Sequence, residues 1–231
     1  MKIAPHPFFS VIALSIALAG CDGKVADEEN KPPAPPFSRN QAKPEEKSAP
    51  RPHLNLDLNY SQKDGRLQAI GIPSPDSSAY FRSLPDATLE AMAKAGNKQA
   101  ITFWVERLAD DALTLQRARS ANGGLPNGIQ ETDAVGNIGK AGYYLGALMQ
   151  DPHNAMAGYL WGLQTASSTY GGPLEPIVAG IRLAGLRGDY RAEDMEHAFR
   201  ATHPDLNESE IQMYFESGRR QLESAARPRK N

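Results

Sequence analysis

The side chains that could carry acid, base or metal chemistry are few and scattered along the 231 residues. Glu193 and His197 lie four residues apart, a spacing that places both on one face of a helix. A solvated ion pair is the simpler interpretation of these two, because a protein zinc site needs three or four ligands. No His-Glu-x-x-His sequence occurs in the chain. We therefore predict no metal site and no bound cofactor.

Two pairs of carboxylates are the remaining candidates for catalysis. Asp110-Asp111, and Glu131 with Asp133, could supply the acid and the base of a glycoside hydrolase. Carboxylates this close in sequence are common on helix surfaces, and no Gly-x-Ser-x-Gly sequence presents a nucleophilic serine. The glycine-rich stretch 123–128 lacks the Lys-Ser or Lys-Thr that completes a phosphate-binding loop. We predict no catalytic residues.

Aromatic side chains gather in the centre of the chain. Trp and Tyr often anchor protein–protein contacts, because they bury a large area and keep a polar atom. A helical core would bury the same residues, so both interpretations stay open for each of them. The candidates for partner binding are Trp104, Tyr143, Tyr159, Trp161 and Tyr170.

The elements that must position these residues are predicted to be α-helices. The apolar residues from Ile101 to Leu115 recur every three or four positions, which makes one buried helix face. The segment 174–187 is apolar on nearly every side and should be central, and Asn207 with Glu210 forms a capping box. We predict helices that begin at or near Asp76, Asp86, Asn97, Thr132 or Asp133, Asp151, Leu174, Asp189 and Asn207.

Residues 76–231 are therefore predicted to form a mainly α domain, either an antiparallel helical bundle or an irregular α-hairpin repeat. A small β-hairpin is predicted before it, over residues 53–75. Leucines alternate with polar residues from His53 to Tyr60, which is the pattern of a half-buried strand. Asp64-Gly65 is a turn signal, and residues 66–72 would return as the second strand.

Two segments share a pair of glycines four residues apart: Gly142 with Gly146, and Gly158 with Gly162. Glycine inside a helix costs about 1 kcal/mol relative to alanine, so its repeated use needs a compensating contact. We predict that these two segments form an antiparallel helical hairpin that packs through its glycine faces.

A second internal similarity relates residues 93–100 to residues 185–192. Each segment is a helix end, a glycine stop, and an Asn or Asp cap. The Ala, Gly, Leu and Tyr usage of residues 83–192 and their paired helices resemble tetratricopeptide-type α-repeats. No fixed period of about 34 residues supports that resemblance, so an irregular bundle remains open.

The first twenty residues have the three parts of a secretory signal peptide. Lys2 lies in a short leading segment, and an uncharged apolar run extends from Phe8 to Ala19. That run is shorter than the roughly 20 residues that a membrane-spanning helix needs. It ends in Leu18-Ala19-Gly20-Cys21, which resembles the lipobox of bacterial lipoproteins at all four positions.

The lipobox resemblance implies that Cys21 is lipidated after cleavage between Gly20 and Cys21. Several acyl chains together give stable membrane anchoring, because each buried methylene contributes about 0.8 kcal/mol. Cys21 is the single cysteine, so no intramolecular disulfide can form. In enterobacterial lipoproteins an aspartate at the position of Asp22 holds the protein in the inner membrane; the simpler interpretation is that Asp22 begins an acidic linker.

Residues 21–52 contain seven prolines, many charges and almost no large apolar side chain. Such a composition predicts a disordered tether between the lipid and the helical domain. The formal net charge of the whole chain is −2, which gives no sign of nucleic-acid binding.

These features predict a bacterial protein anchored to the membrane through the lipid on Cys21 and facing the periplasm. Its helical domain is expected to bind a protein partner of the cell envelope, as an adaptor or assembly factor. Two alternatives stay open. The chain could be an immunity-type lipoprotein that neutralises a toxin in the periplasm, or a cell-wall or lipid hydrolase with an unfamiliar site.

Overall fold

The computed structural model describes residues 64–122 and 131–227. This part of the chain contains nine α-helices and no strand, which confirms the mainly α fold. The predicted signal peptide, tether and first strand lie outside the described residues, as do Gly20, Cys21 and Asp22. The helices are α1 Gly65–Ala69, α2 Pro75–Ser83, α3 Asp86–Lys94, α4 Lys98–Asn122, α5 Glu131–Met149, α6 Ala155–Ser168, α7 Glu175–Leu186, α8 Ala192–Thr202 and α9 Glu208–Ala226.

The predicted second strand of the hairpin, residues 66–72, is wrong, because its first part is helix α1. Asp64 caps this helix: its side chain accepts a hydrogen bond from the backbone N–H of Arg66 at 2.9 Å. Leu67 packs into the core, and Gly71 ends the segment with a φ of +82°. A stretch of seven residues with apolar positions at 67, 69, 70 and 72 fits a short capped helix as well as a strand.

Helix α4 is buried on more than the single face that its sequence pattern predicts. It packs against α2, α3, α5 and α6, so neighbours cover most of its circumference. None of the described helices combines the length and hydropathy that crossing a membrane would require. The buried apolar residues of α4 are Ala100, Ile101, Phe103, Trp104, Val105, Leu108, Ala109, Ala112 and Leu113.

Among the described helices, α6 and α7 share the most extensive contact. A Cβ atom on Gly162 would lie 2.5 Å from the carbonyl oxygen of Pro176, and one on Gly158 would lie 2.6 Å from the backbone nitrogen of Ala184. Gly180 of α7 fits between them, since its own Cβ would lie 2.8 Å from the oxygen of Gly158. Only glycine permits backbones to approach this closely.

The predicted glycine-to-glycine packing of α5 against α6 is therefore wrong, although α5 and α6 are in contact. A Cβ atom on Gly146 would meet nothing within 4 Å, and one on Gly142 would lie 3.7 Å from the side chain of Gln164. The glycines of α6 instead face α7, whose own glycine at 180 completes the contact.

The start of α6 also differs from its prediction. Asn154 caps the helix by accepting a hydrogen bond from the backbone N–H of Ala157 at 3.2 Å. Asp151 stabilises the preceding turn, where it accepts from the backbone N–H of His153 at 3.1 Å. Asp and Asn side chains make both kinds of contact, so a pattern containing both residues leaves the cap ambiguous.

The glycine stops after α3 and α7 are confirmed. Gly96 has a φ of +84° and Gly188 has a φ of +101°, both in the left-handed region. Asn97 then caps α4 as predicted, but the helix cap predicted at Asp189 is wrong, because α8 begins at Ala192 after Arg191, which makes no side-chain capping bond. The Asp189 side chain instead stabilises the turn before α8. Asn97 accepts from the N–H of Ala100 at 3.0 Å, and Asp189 accepts from the N–H of Arg191 at 3.0 Å.

Helix α9 closes the bundle against α7. Asn207 caps it through the N–H of Ser209 at 3.0 Å, and Ile211 and Leu222 are buried as its apolar pattern predicts. A Cβ atom on Gly218 would lie 2.5 Å from the Leu183 side chain, so α9 also crosses its neighbour closely. The far end of α9 approaches α5, and that approach shapes a groove at this end of the bundle.

Candidate functional site

The five aromatic candidates divide into buried and exposed residues. Trp104, Tyr159 and Trp161 are buried in the core, so the core interpretation is the correct one for them. Tyr143 is 80% exposed and Tyr170 is 70% exposed, values that are high for large apolar rings. Only these last two could contact a partner without rearrangement of the fold.

The buried tyrosine and one of the buried tryptophans make specific hydrogen bonds. The hydroxyl of Tyr159 donates to Oδ2 of Asp189 at 2.8 Å. The indole N–H of Trp161 donates to Oε1 of Gln221 on α9 at 3.1 Å. These bonds tie α6 to the segments around it, and they give both rings a structural role.

Tyr143 lies in a groove of about 1320 Å³ where the ends of four helices meet. The C-terminal ends of α3, α5 and α9 and the first turn of α4 form its walls. The described residues that line it are mostly small, with aromatic, polar and basic side chains among them. They are Ala93, Lys94, Gly96, Ile101, Tyr143, Tyr144, Gly146, Ala147, Gln150, Ser224, Ala225, Ala226 and Arg227.

Helix α5 presents one face to this groove. Tyr143, Gly146, Ala147 and Gln150 have the three-to-four spacing that aligns residues along a helix. Leu145 and Leu148 fall on the opposite side of α5 and are buried in the core. The core side of α5 therefore fixes the orientation of its groove side.

The Tyr143 ring is supported from below by Tyr144. Their ring centroids are 5.2 Å apart and the planes meet at 80°, which is a favourable edge-to-face contact. Tyr144 itself is buried, so it holds one edge of the exposed ring against a fixed surface. Tyr143 thus combines exposure with a restricted position.

Two glycines leave space in the groove walls. A Cβ atom at Gly146 or at Gly96 would have no neighbour within 4 Å. A side chain at position 146 would make no contact inside the fold. Its absence widens the groove beside Tyr143 and leaves the backbone of α5 accessible.

Arg187, just after α7, fastens the two helix ends that form opposite walls. Its guanidinium donates to the carbonyl oxygens of Asp151 at 2.8 Å and Met149 at 3.4 Å, at the end of α5. It also donates to the carbonyl of Leu222 in α9 at 3.5 Å. Burial lowers the pKa of this guanidinium, while the Asp151 carboxylate raises it. Arg187 therefore links α5 and α9, two of the groove walls, through the carbonyl groups that it contacts.

Sequence reasoning missed Arg187 as part of this arrangement, along with Lys94 and Arg227 in the lining. The one available signal was the position of all three at or near helix C-termini. Cations are common there because they offset the partial negative charge of the helix end, so the signal did not distinguish a groove from ordinary capping.

Asp189 and Arg191 form a buried ion pair elsewhere in the bundle, with an Nη2-to-Oδ2 distance of 2.7 Å. Burial by itself would raise the pKa of Asp189, but hydrogen bonds from Arg191 and Tyr159 outweigh it and leave the pKa below its usual value. No atom of the Asp189 side chain is accessible, so this carboxylate stabilises the fold and cannot reach a substrate.

The described residues among those considered for catalysis do not converge. Glu193 and His197 are both exposed on α8, as expected of a solvated face, and Asp110 is buried within α4. The side chains of Glu131 and Asp133 lie outside the described part of the structure. Among the described residues, no group of three or more His, Cys, Asp or Glu is arranged to hold a metal ion.

No protein family, no curated protein and no solved structure matches this chain.

Proposed function

We propose that this chain is a lipid-anchored cell-envelope protein whose helical domain binds a protein partner through the groove around Tyr143. The anchor rests on the lipobox-like sequence Leu18-Ala19-Gly20-Cys21. The binding role rests on the position of Tyr143. A tyrosine that is 80% exposed, held by a buried neighbour and set beside open glycine positions matches the aromatic anchors that dominate protein interfaces.

The dimensions of the groove favour a macromolecular partner over a small metabolite. Its volume of about 1320 Å³ exceeds the ~300–1,000 Å³ of typical small-molecule pockets. It is also formed by helix ends that Arg187 holds in place. A surface fixed in advance loses less conformational entropy when a partner binds, which favours recognition.

The anchor is tested by Cys21→Ser. Removing the thiol removes the site of acylation, so we expect the protein to move from the membrane fraction to the soluble fraction on ultracentrifugation. Radiolabelled palmitate should enter the unmodified chain and not the variant. Retention of the variant in the membrane would contradict the lipoprotein assignment without bearing on the groove.

The binding role is tested by comparing two exposed tyrosines. Tyr143→Ala removes the groove aromatic, and Tyr170→Ala removes a ring of similar exposure that does not line the groove. After chemical crosslinking in intact membranes, co-purified proteins are quantified by mass spectrometry. We expect one partner to be lost with Tyr143→Ala and kept with Tyr170→Ala.

Circular dichroism melting of both variants controls for unfolding, since neither ring belongs to the core. Equal recovery of every partner by both variants would contradict the proposed function. Turnover of a wall or lipid substrate by the purified domain would contradict it as well, and would favour the hydrolase alternative.

A further inference from the structure

The described lining of the groove has a one-sided charge. Lys94 and Arg227 are basic, and no residue of the lining is acidic, although the chain as a whole carries a net charge of −2. Lys94 contacts Glu90 on its own helix at 3.1 Å, but it is largely exposed. Exposed pairs of this kind contribute little free energy, so Lys94 can turn toward a ligand at small cost.

The helix ends around the groove do not cancel this charge, because the chain's own donors already occupy many of their carbonyl groups. At the end of α3, the N–H groups of Gly96 and Asn97 donate to the carbonyls of Ala93 and Met92 at 3.0 and 3.2 Å. At the end of α5, Arg187 donates to the carbonyl of Met149 at 3.4 Å, and at the end of α9 the N–H of Arg227 donates to the carbonyl of Ser224 at 3.4 Å. The positive charge of Lys94 and Arg227 therefore remains for a ligand to meet.

The walls of the groove also limit the conformation of its occupant. They are helices whose backbone groups are bonded within the helices, so they offer few partners to the backbone of an extended peptide. A helix satisfies its own backbone and needs only side-chain contacts. The open positions at Gly96 and Gly146 allow a helix to approach closely, as α7 approaches the glycines of α6.

We propose that the groove binds an acidic helical segment of the partner protein, with its apolar side on Tyr143 and its carboxylates on Lys94 and Arg227. This inference rests on the proposed function and adds the chemistry of the partner. Binding should weaken when salt rises from ~0.05 M to ~0.5 M, because the charges are near the surface and are screened.

The test places the photo-crosslinking residue p-benzoylphenylalanine at position 143 of the full-length, membrane-anchored chain. A second form carries it at position 147, in case the first change blocks binding, and a third carries it at Tyr170 outside the groove. The crosslinked segment of the partner is sequenced by mass spectrometry. We expect positions 143 and 147 to capture one segment that has more Asp and Glu than Lys and Arg, with apolar residues at helical spacing.

Charge reversal supplies the matched comparison. Arg227→Glu in the groove should lower the crosslink yield about five-fold or more. Arg119→Glu should leave the yield unchanged; Arg119 lies 5.6 Å from the ring centre of Tyr170, away from the groove lining. The two variants change charge equally, so a general effect of net charge would appear in both.

The outcomes separate the two proposals. A captured segment that is neutral or basic, or a yield insensitive to Arg227→Glu, would overturn the acidic-helix inference and leave the partner-binding function intact. Capture of lipid, or of a second copy of this chain, would overturn it too. Crosslinking at 143 and 147 no stronger than at 170 would overturn both.

Discussion

Two helices of this protein carry the same pair of glycines four residues apart, and the structure uses them in opposite ways. In α6, Gly158 and Gly162 touch the backbone of α7 at distances that no side chain could occupy. In α5, Gly146 faces an open groove with no atom within 4 Å of its missing Cβ. The same sequence pattern therefore marks a folding contact in one helix and an accessible surface in the other.

This contrast distinguishes two regions of the molecule. The contact of α6 with α7, here called the crossing, stabilises the fold, and the groove is open to a partner. The crossing is reinforced by the Tyr159–Asp189–Arg191 bonds, which join α6 to the segment after α7. The groove is connected to the crossing because α5 packs on α6 and α9 packs on α7. Arg187, which comes just after α7, also bonds to the carbonyl groups of Asp151 after α5 and of Leu222 in α9. Changes at the crossing should therefore affect stability, and changes in the groove should affect binding.

The largest effect is expected at the buried ion pair beside the crossing. Asp189→Ala leaves the guanidinium of Arg191 buried without its carboxylate, which should cost about 4 kcal/mol of unfolding free energy. Urea denaturation measures it. A loss too small to separate from that of an ordinary surface substitution would show that the crossing does not depend on this pair.

Asp64→Ala is the matched control, because Asp64 repeats the same arrangement at the surface. It contacts Arg66 two residues later at 2.9 Å and accepts from the hydroxyl of Tyr190, also at 2.9 Å. The side chains of Arg66 and Asp64 are 79% and 19% exposed, against 10% and 0% for Arg191 and Asp189. We expect a clearly smaller loss for Asp64→Ala, since water replaces the lost contacts.

The second effect is expected at the crossing itself. Gly162→Ala places a methyl group 2.5 Å from the oxygen of Pro176, so α6 and α7 must move apart. We expect a net loss of about 2 kcal/mol, even though alanine favours the helix by about 1 kcal/mol. Thermal melting measures it, and an unchanged midpoint would show that the helices separate without cost.

The third effect has the opposite sign. Gly146→Ala adds a methyl group where space is open, so only the gain in helix propensity remains, and stability should rise by about 1 kcal/mol. The same melting experiment measures it. A drop in midpoint similar to that of Gly162→Ala would remove the distinction between the two helices.

The smallest expected effect is the change of folding stability with pH. Hydrogen bonds from Arg66 lower the pKa of Asp64 to about 2, and the pKa of Asp189 is also lowered. A carboxylate with a lowered pKa stabilises the folded state above its unfolded pKa of about 4, and loses that contribution as pH falls through the folded pKa. The stability difference between the wild type and Asp189→Ala should stay constant from pH 7 to about pH 5 and shrink below pH 4. A difference that grows on acidification would contradict the lowered pKa.

Much of the helix pattern could be predicted from the sequence because its signals are local. The glycine stop followed by the Asn97 cap, the Asn207 cap and the apolar stripe of α9 each act within a few residues. The cap predicted at Asp189 is wrong, because α8 begins only after Arg191. The hairpin prediction failed at residues 66–72 because Asp64-Gly65 was interpreted as a turn between strands, whereas Asp64 caps α1.

The groove could not be predicted because it is made by distant segments. Its walls come from the ends of α3, α5 and α9, and their meeting depends on how the whole bundle packs. The sequence identified Tyr143 as one of five aromatic candidates. Only the structure shows that Tyr143 is exposed whereas Trp104, Tyr159 and Trp161 are buried. The sequence also could not show which pair of glycines packs against another helix. The helix that contacts the glycines of α6 is α7, because Gly180 of α7 allows the close approach.

The most direct test of the distinction between fold and groove is Gly146→Leu, with Gly136→Leu as its control. Both glycines lie on α5 with open space around the missing Cβ, but only Gly146 lines the groove. Melting and crosslinked partner recovery are measured on the same preparations. We predict that both variants melt at or above the wild-type midpoint, because leucine favours a helix over glycine, and that Gly146→Leu alone loses the partner. A Gly146→Leu variant that melts early, or that keeps the partner while folded, would contradict the account.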